Sequence, residues 1–447
     1  MHPEPDWHAE PTAYDSQVTT DTASRSTLRG GAVIAVALAV MNLSTYGFTF
    51  LAARMLGPAE YGPLARVMSV LLVVNVLSLG LQATGARRVS AAPHESAGIE
   101  DEVMRTSYAT AAVLGVLLLV ATPVLSLTLN LESWGAAALI AVCAVPLSVM
   151  GGQAGILQGE RRWTPLAAVY IAMGVGRLGF GIVTLLVRAD ASSAMVGVAV
   201  GAFVPVVVGW LALRRPSRRA GRSATSPPSP GARWAPGGVL RETLHNSHAL
   251  LAFFALSSTD VIIAGATLSK HQAGLYAGGQ LLTKAVLFLP QFVVVVAFPS
   301  MSREDGRRRM QLMSLGLVAV IGTVTTLGVA VLSSLAVLFV GGSEYSDLQG
   351  RLWVFAVLGT LLALLQLLVY DVVARQHQRM VFVVWVAMGA LVASAFVIGS
   401  LTQLLTTVVV IDALLFVVLL LASLRPGATP AAPAVEAPTA EAGAAVA

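Results

Sequence analysis

Apolar residues along this chain gather in blocks of about 20, separated by short breaks rich in charge, glycine or proline. At 1.5 Å per residue, a helix of about 20 residues spans the roughly 30 Å hydrocarbon core of a bilayer. Such blocks fall near 31–52, 63–83, 107–129, 136–157, 164–187 and 194–213, and again near 246–267, 274–299, 311–338, 352–373, 380–400 and 403–424. The pattern predicts an all-α polytopic membrane protein with about twelve transmembrane helices. Composition agrees, because 447 residues that are 56% hydrophobic and 11% charged, with a mean hydropathy of +0.77, are too apolar for soluble domains with polar surfaces.

The segments between and beyond the blocks differ in kind. Residues 1–30 are polar and carry Glu4, Asp6, Glu10, Asp15 and Asp21, which predicts a disordered tail and not a cleaved signal peptide, whose charged leader is short. Residues 426–447 are Ala/Pro-rich without periodicity and predict a second tail. The longest connection, 214–243, is basic and Pro/Ser-rich, a flexible linker between six-helix bundles at 31–213 and 244–425. It is also a candidate for anionic lipid headgroups, at about 1 kcal/mol per basic residue near the surface.

Arginine and lysine set the orientation. Twenty-one lie on the side that holds the N-terminus, while only Arg54, Arg188, Lys270 and Arg351 lie on the other. The positive-inside rule then predicts that both termini are cytoplasmic, which an even number of spans requires. The net charge of +5 is read as this orientation signal and not as affinity for nucleic acid.

The two halves also resemble each other. LGPAEYGPLARVM from Leu56 follows the first span, and LSKHQAGLYAGGQL from Leu268 follows the seventh, with Gly62 falling on Gly274 at an offset of 212. A second echo pairs YIAMG ending at Gly174 with VWVAMG ending at Gly389, at an offset of 215. Nearly equal offsets predict an internal duplication, and six spans per copy give both copies the same orientation. Chance similarity between apolar sequences is the alternative.

Few motifs carry chemistry. GVGRLG at 174–179 matches a dinucleotide pattern but lies within a span with no strand before it, so helix packing is the better reading. Gly151, Gly155 and Gly159, at every fourth position, suit close helix approach. Neither lysine, Lys270 or Lys284, sits in a phosphate-binding loop, so ATP binding of that kind is excluded. His245 and His248 lack accompanying metal ligands, and Cys143, the single cysteine, reads as a small buried side chain. No cofactor or metal is expected.

Charges within spans are more telling, since a charge at the bilayer centre costs at least about 2.5–3.5 kcal/mol. Arg177 lies about 20 Å from the cytoplasmic start of the fifth span, and Lys284 about 15 Å from the outer start of the eighth. Each lies on a polar stripe: Tyr170 and Thr184 flank Arg177 at seven residues, and Gln280 and Gln291 flank Lys284 at four and seven. Asp260 and Asp412 are the acidic counterparts, each able to pair with a cation or carry a proton. Arg66 is near enough to the outer interface to reach it. A water-filled lumen and a structural ion pair both account for such residues.

The run FLAARMLGPAEYG, followed by an apolar span and ARRVS, resembles the start of the polysaccharide transporter (O-antigen flippase-like) family of the multidrug, oligosaccharidyl-lipid and polysaccharide exporter superfamily. STDVIIAGATLSKHQAGLYAGGQLL and FLPQFVVVVAFPSMS resemble that family's seventh and eighth spans, with Asp260, Gly274, Tyr276, Pro299 and Ser302 on its recurring positions. The resemblance implies two pseudo-symmetric six-helix bundles around a central cavity in the plasma membrane. It also implies transport of a polyprenyl-diphosphate-linked glycan from the inner to the outer leaflet. Membrane lipids would surround it, and glycan polymerase or glycosyltransferases are candidate partners. Cavity cations would hold the diphosphate, here Arg54, Arg66, Arg177 and Lys284, with Gln280, Gln291 and Tyr170 as polar cavity residues. Of the charged candidates, only Arg54 and Asp260 sit in recognisable motifs, and Asp260 is the first choice for ion coupling, with Asp412 second.

The closest rival is an ion-coupled multidrug or small-metabolite exporter of the same superfamily, whose cavity should depend on acidic residues. A glycan polymerase or glycosyltransferase is disfavoured by outer connections of about a dozen residues or fewer. A noncatalytic membrane scaffold would need its helix packing and not its span charges.

Overall fold

A computed structural model describes residues 13–91, 96–131, 133–214, 238–297, 307–374 and 378–424. In chain order the helices are α1 (Ala13–Ala91), α2 (Ser96–Val120), α3 (Thr122–Thr128), α4 (Trp134–Gly159), α5 (Trp163–Val187), α6 (Ala191–Gly201) and α7 (Phe203–Leu213). The second set is α8 (Gly238–Thr267), α9 (Lys270–Ala297), α10 (Arg307–Val331), α11 (Ser333–Val340), a 3-10 turn (Ser343–Leu348), α12 (Leu352–Ala374), α13 (Gln378–Ser394) and α14 (Leu401–Leu424).

The sequence places a turn at Leu56-Gly57-Pro58, and α1 does change direction there. Gly57 has φ 66° and ψ 175°, a combination that essentially only glycine adopts. This one residue therefore splits α1 into two arms, the first and second spans. Other spans are interrupted too. The third is α2 continued by α3, whose first turn holds a proline, Pro123; the sixth is α6 continued by α7 beyond Ala202, with Pro205 in the first turn of α7. Among the described residues, nine stretches are long and apolar enough to cross a membrane, and Met380–Ser394 is a shorter apolar helix. With the bend in α1 and the addition of α9 and α13, about twelve spans result.

Packing repeats between the halves. The first arm of α1 lies against α5 and its second arm against α4, as α8 lies against α13 and α9 against α12 six spans later. Glycines make the closest of these contacts. A Cβ on Gly155 would lie 2.7 Å from the Gln82 carbonyl oxygen, and one on Gly174 would lie 2.7 Å from the Met41 backbone. The every-fourth-residue glycines and GVGRLG are helix-packing features, as their place within spans predicts. Outward-facing positions such as Leu127, Val187 and Phe396 are 80%, 84% and 93% exposed; lipid tails are as apolar as these side chains, so a bilayer accommodates them. The protein is an all-helical, multi-pass membrane protein.

The polar N-terminal segment, expected as a tail over 1–30, is described only from Ala13, where the backbone is already helical. No glycine or proline interrupts residues 13–29, so the helix extends by one backbone bond per residue once nucleated. The expected linker and C-terminal tail lie almost wholly outside the described residues.

Candidate functional site

One polar cluster sits among α8, α9 and α14. Tyr276, Gln280 and Lys284 recur every four residues and so share one face of α9. On that face the Tyr276 hydroxyl donates to Asp260 Oδ2 at 2.7 Å, and Gln280 Nε2 donates to the same oxygen. Asp260 Oδ1 also accepts from the Val261 amide at 2.8 Å. Lys284 Nζ donates to the Ser257 carbonyl at 2.6 Å and approaches the Ser257 hydroxyl at 3.3 Å. Asp412 lies within electrostatic reach of Lys284 and Asp260. Both aspartates are only 2% exposed and Lys284 is partly buried beside them, so opposite charges within reach of one another lower the cost of burying each alone.

The first half is different. Arg66, on the second arm of α1, is 3% exposed and donates through Nη2 to the Asn130 carbonyl at 3.2 Å. Its Nε has no hydrogen-bond partner. Arg177 on α5 is half-buried near Cys143, and no ion pair or hydrogen bond holds it among the described residues. Tyr170, two turns before Arg177 on the same face of α5, accepts a 2.6 Å hydrogen bond from Gln82 Nε2, which also reaches Gln158 Oε1 at 2.7 Å.

The arginine-poor ends of the two halves meet. The equivalent glycines of the two copies, Gly62 and Gly274, face each other, with a Cβ on Gly62 only 3.3 Å from Gly274 Cα, and Gly274 lies against the Pro58 carbonyl. Lys270 Nζ pairs with Glu60 Oε1 at 2.9 Å, and the Tyr345 hydroxyl donates to the Ala53 carbonyl at 3.3 Å. Arg54 is exposed at this end and lies over Gly342. Nearby, Asp190 accepts from the Ser193 amide at 2.7 Å as the N-cap of α6. That bond, with the Ser193 hydroxyl and Arg188, holds its carboxyl below the ordinary aspartate value against the opposing effect of burial.

Lys284, Gln280, Asp260 and Asp412 are thus brought together, whereas Arg54, Arg66, Arg177 and Tyr170 stand apart from them and from one another in environment. The Gln291 side chain lies outside the described residues. Sequence reasoning did not single out Tyr276 as a site residue, although its four-residue spacing from Gln280 and Lys284 was a usable signal. Asn130, Gly265 and Glu60 carried no signal, since only the fold places them against Arg66 or Lys270. Among the described residues, no group of three His, Cys, Asp or Glu side chains is arranged to hold a metal.

Two bundles of six spans, with matching packing and a shared seam, form the fold of solved transporters of the multidrug, oligosaccharidyl-lipid and polysaccharide exporter (MOP) superfamily. The family described as polysaccharide biosynthesis protein matches residues 27–304, well over half of the chain, and the chain belongs to it. Among solved structures, an inward-facing multidrug resistance MATE family transporter of the MOP superfamily is similar with a TM-score of 0.64 at 14% identity, covering 87% of this chain and 97% of its own. An outward-facing structure of such a transporter gives 0.60 at 13% identity, covering 89% and 94%. A MOP superfamily transporter from Pyrococcus furiosus, described as having a binding pocket of reverse polarity that suggests a different function, gives 0.55 at 12% identity, covering 88% and 94%. No curated protein matches the chain. The fold is that of these solved membrane transporters.

Proposed function

We propose that this exporter is a flippase that moves a polyprenyl-diphosphate-linked oligosaccharide from the inner to the outer leaflet by alternating access. The observation that carries the reading is an asymmetry of charge. In the first half Arg66 and Arg177 lie within spans without a carboxylate partner among the described residues, while in the second half Lys284 is compensated by Asp260 and Asp412. Uncompensated cations between low-dielectric walls attract a diphosphate strongly, and a half-buried Arg177 is suited to receive it. The lipid tail stays in the bilayer while the headgroup and sugars cross between the halves.

The second half, in this reading, serves energy coupling. Asp260 accepts from three donors and Lys284 is held by Ser257, so Asp412, with no hydrogen-bond donor among the described residues, becomes the better candidate for a coupling proton or cation. This alters the expected order, in which Asp260 came first, and moves Lys284 from the anion site to the acidic cluster. The arginine-rich side is taken as cytoplasmic, which places both termini there, in the plasma membrane. Closure of the arginine-poor end then describes an inward-facing state.

A drug exporter of the same fold would need an accessible acidic pocket, and the two buried aspartates do not provide one. The test is export of a labelled lipid-linked oligosaccharide in proteoliposomes, beside efflux of a cationic dye. Arg177→Ala should lower glycan export by tenfold or more and leave no dye transport to lose. Normal glycan export by that variant, or dye efflux by the native protein, would overturn the reading.

A further inference from the structure

Arg66 is an arginine sealed within a protein seam with no carboxylate partner among the described residues. It lies about 13 Å along α1 from the bend at Gly57, yet it is 3% exposed because the second half covers it. Gly265, near the end of α8, supplies the cover: a Cβ there would lie 2.7 Å from both Nε and Nη1 of Arg66. Gly62, one turn before Arg66 on the same face, places its missing Cβ 3.5 Å from Nη1 and 3.3 Å from Gly274 at the start of α9. The guanidinium therefore fills a hollow walled by two glycines, Gly62 and Gly265, the second of them in the other half.

Its hydrogen bonding is incomplete in this position. Among the described residues only Nη2 of its five N–H donors finds an acceptor, the Asn130 carbonyl at 3.2 Å, and Nε is buried with no partner. Asn130 in turn reaches the Gly265 carbonyl through Nδ2 at 3.5 Å, so the residue that steadies Arg66 also touches the opposing half. The only acidic side chain nearby in sequence, Glu60, is engaged by Lys270.

We infer that Arg66 is both the bolt of the outer gate and the anion site that appears when the gate opens, so that diphosphate binding and gate closure compete for one guanidinium. With the halves together, Arg66 is docked under Gly265 and its charge is unmatched. With the halves apart, Gly265 withdraws and the fork of donors faces water, ready for bidentate contact with phosphate oxygens. An anion that binds only the open form shifts the equilibrium toward it by its differential affinity. This gives a cargo a way to release its own exit, and it rests on the flippase reading only for the choice of a diphosphate.

The gate itself supplies the readout. Glu60 and Lys270 pair across the seam at 2.9 Å and are 35% and 46% exposed, so Glu60→Cys with Lys270→Cys, in a Cys143→Ala background, reports closure by reaction with a short bis-methanethiosulfonate cross-linker. The full chain is placed in nanodiscs, and inorganic pyrophosphate is the probe, against sodium chloride at matched ionic strength. Pyrophosphate should lower cross-linking severalfold and saturably, and Arg66→Gln should remove that response. Gly265→Ala, which keeps the cation but fills its hollow, should lower cross-linking before any anion is added. Cross-linking indifferent to pyrophosphate, a response that persists in Arg66→Gln, or unchanged closure in Gly265→Ala would each overturn the inference. Failure of glycan export in proteoliposomes would overturn the flippase reading alone, because the gate response to an inorganic anion does not depend on the glycan.

Discussion

At the scale of single residues, the charged side chains within spans fall into two populations that their sequence positions did not separate. Lys284 and Arg177 both looked like isolated cations on polar stripes. In the fold, Lys284 bonds Ser257 and lies within electrostatic reach of two carboxylates, whereas Arg177 meets no acid among the described residues. Removing one member of a buried charge group leaves the rest uncompensated, at a cost of about 3–5 kcal/mol. Lys284→Met should therefore lower the apparent melting temperature in detergent markedly, and adding Asp412→Asn should recover part of the loss. A double variant no more stable than Lys284→Met would show that the two groups do not interact. The stripe Tyr276, Gln280, Lys284 was legible from spacing; its partner Asp260 was legible as a motif residue; that they bond to one another was not, because hydrogen-bond geometry depends on how α8 and α9 cross.

At the scale of elements, the hydrophobic blocks correspond closely to helices because a bilayer forces every spanning segment to satisfy its own backbone, and a helix does so locally. What blocks cannot show is where a span breaks. The interruptions at Ala121, Ala202 and Leu332 leave the apolar run intact, whereas the Gly57 bend announces itself through Leu-Gly-Pro. The stacked glycines of α4 were readable as packing positions, but the side they pack on was not. Gly155→Leu would push into the Gln82 backbone, and overpacking of this kind costs about 1–3 kcal/mol. Gly316→Leu on α10, where a Cβ meets nothing within 4 Å, should leave the melting temperature unchanged. Equal stability of the two variants in a thermal scan would contradict the packing described.

At the scale of the molecule, the repeat seen at offsets of 212 and 215 acquires a spatial meaning. Gly62 and Gly274, matched in sequence, are also in contact, as equivalent positions of two copies must be when they lie beside the axis that relates them. Orientation belongs to this scale as well. Arg161→Cys and Arg188→Cys, each in a Cys143→Ala background, stand at opposite ends of α5. A membrane-impermeant thiol reagent applied to whole cells should label the Arg188 position and spare the Arg161 position. The reverse pattern would invert the assigned topology.

The sequence by itself determined that the chain spans a membrane about twelve times, that it is built from two related halves, and which family it resembles. These depend on block length, on charge counts between blocks and on short local motifs, all of which are properties of order along the chain. Only the tertiary structure decided which buried charges neutralise one another, which arginine is closed beneath the opposite half, and that the matched glycines form the seam. Those outcomes depend on distances between residues as far as 292 positions apart, such as Ala53 and Tyr345, and helices in lipid choose their neighbours by fine packing that no single hydrophobic block encodes.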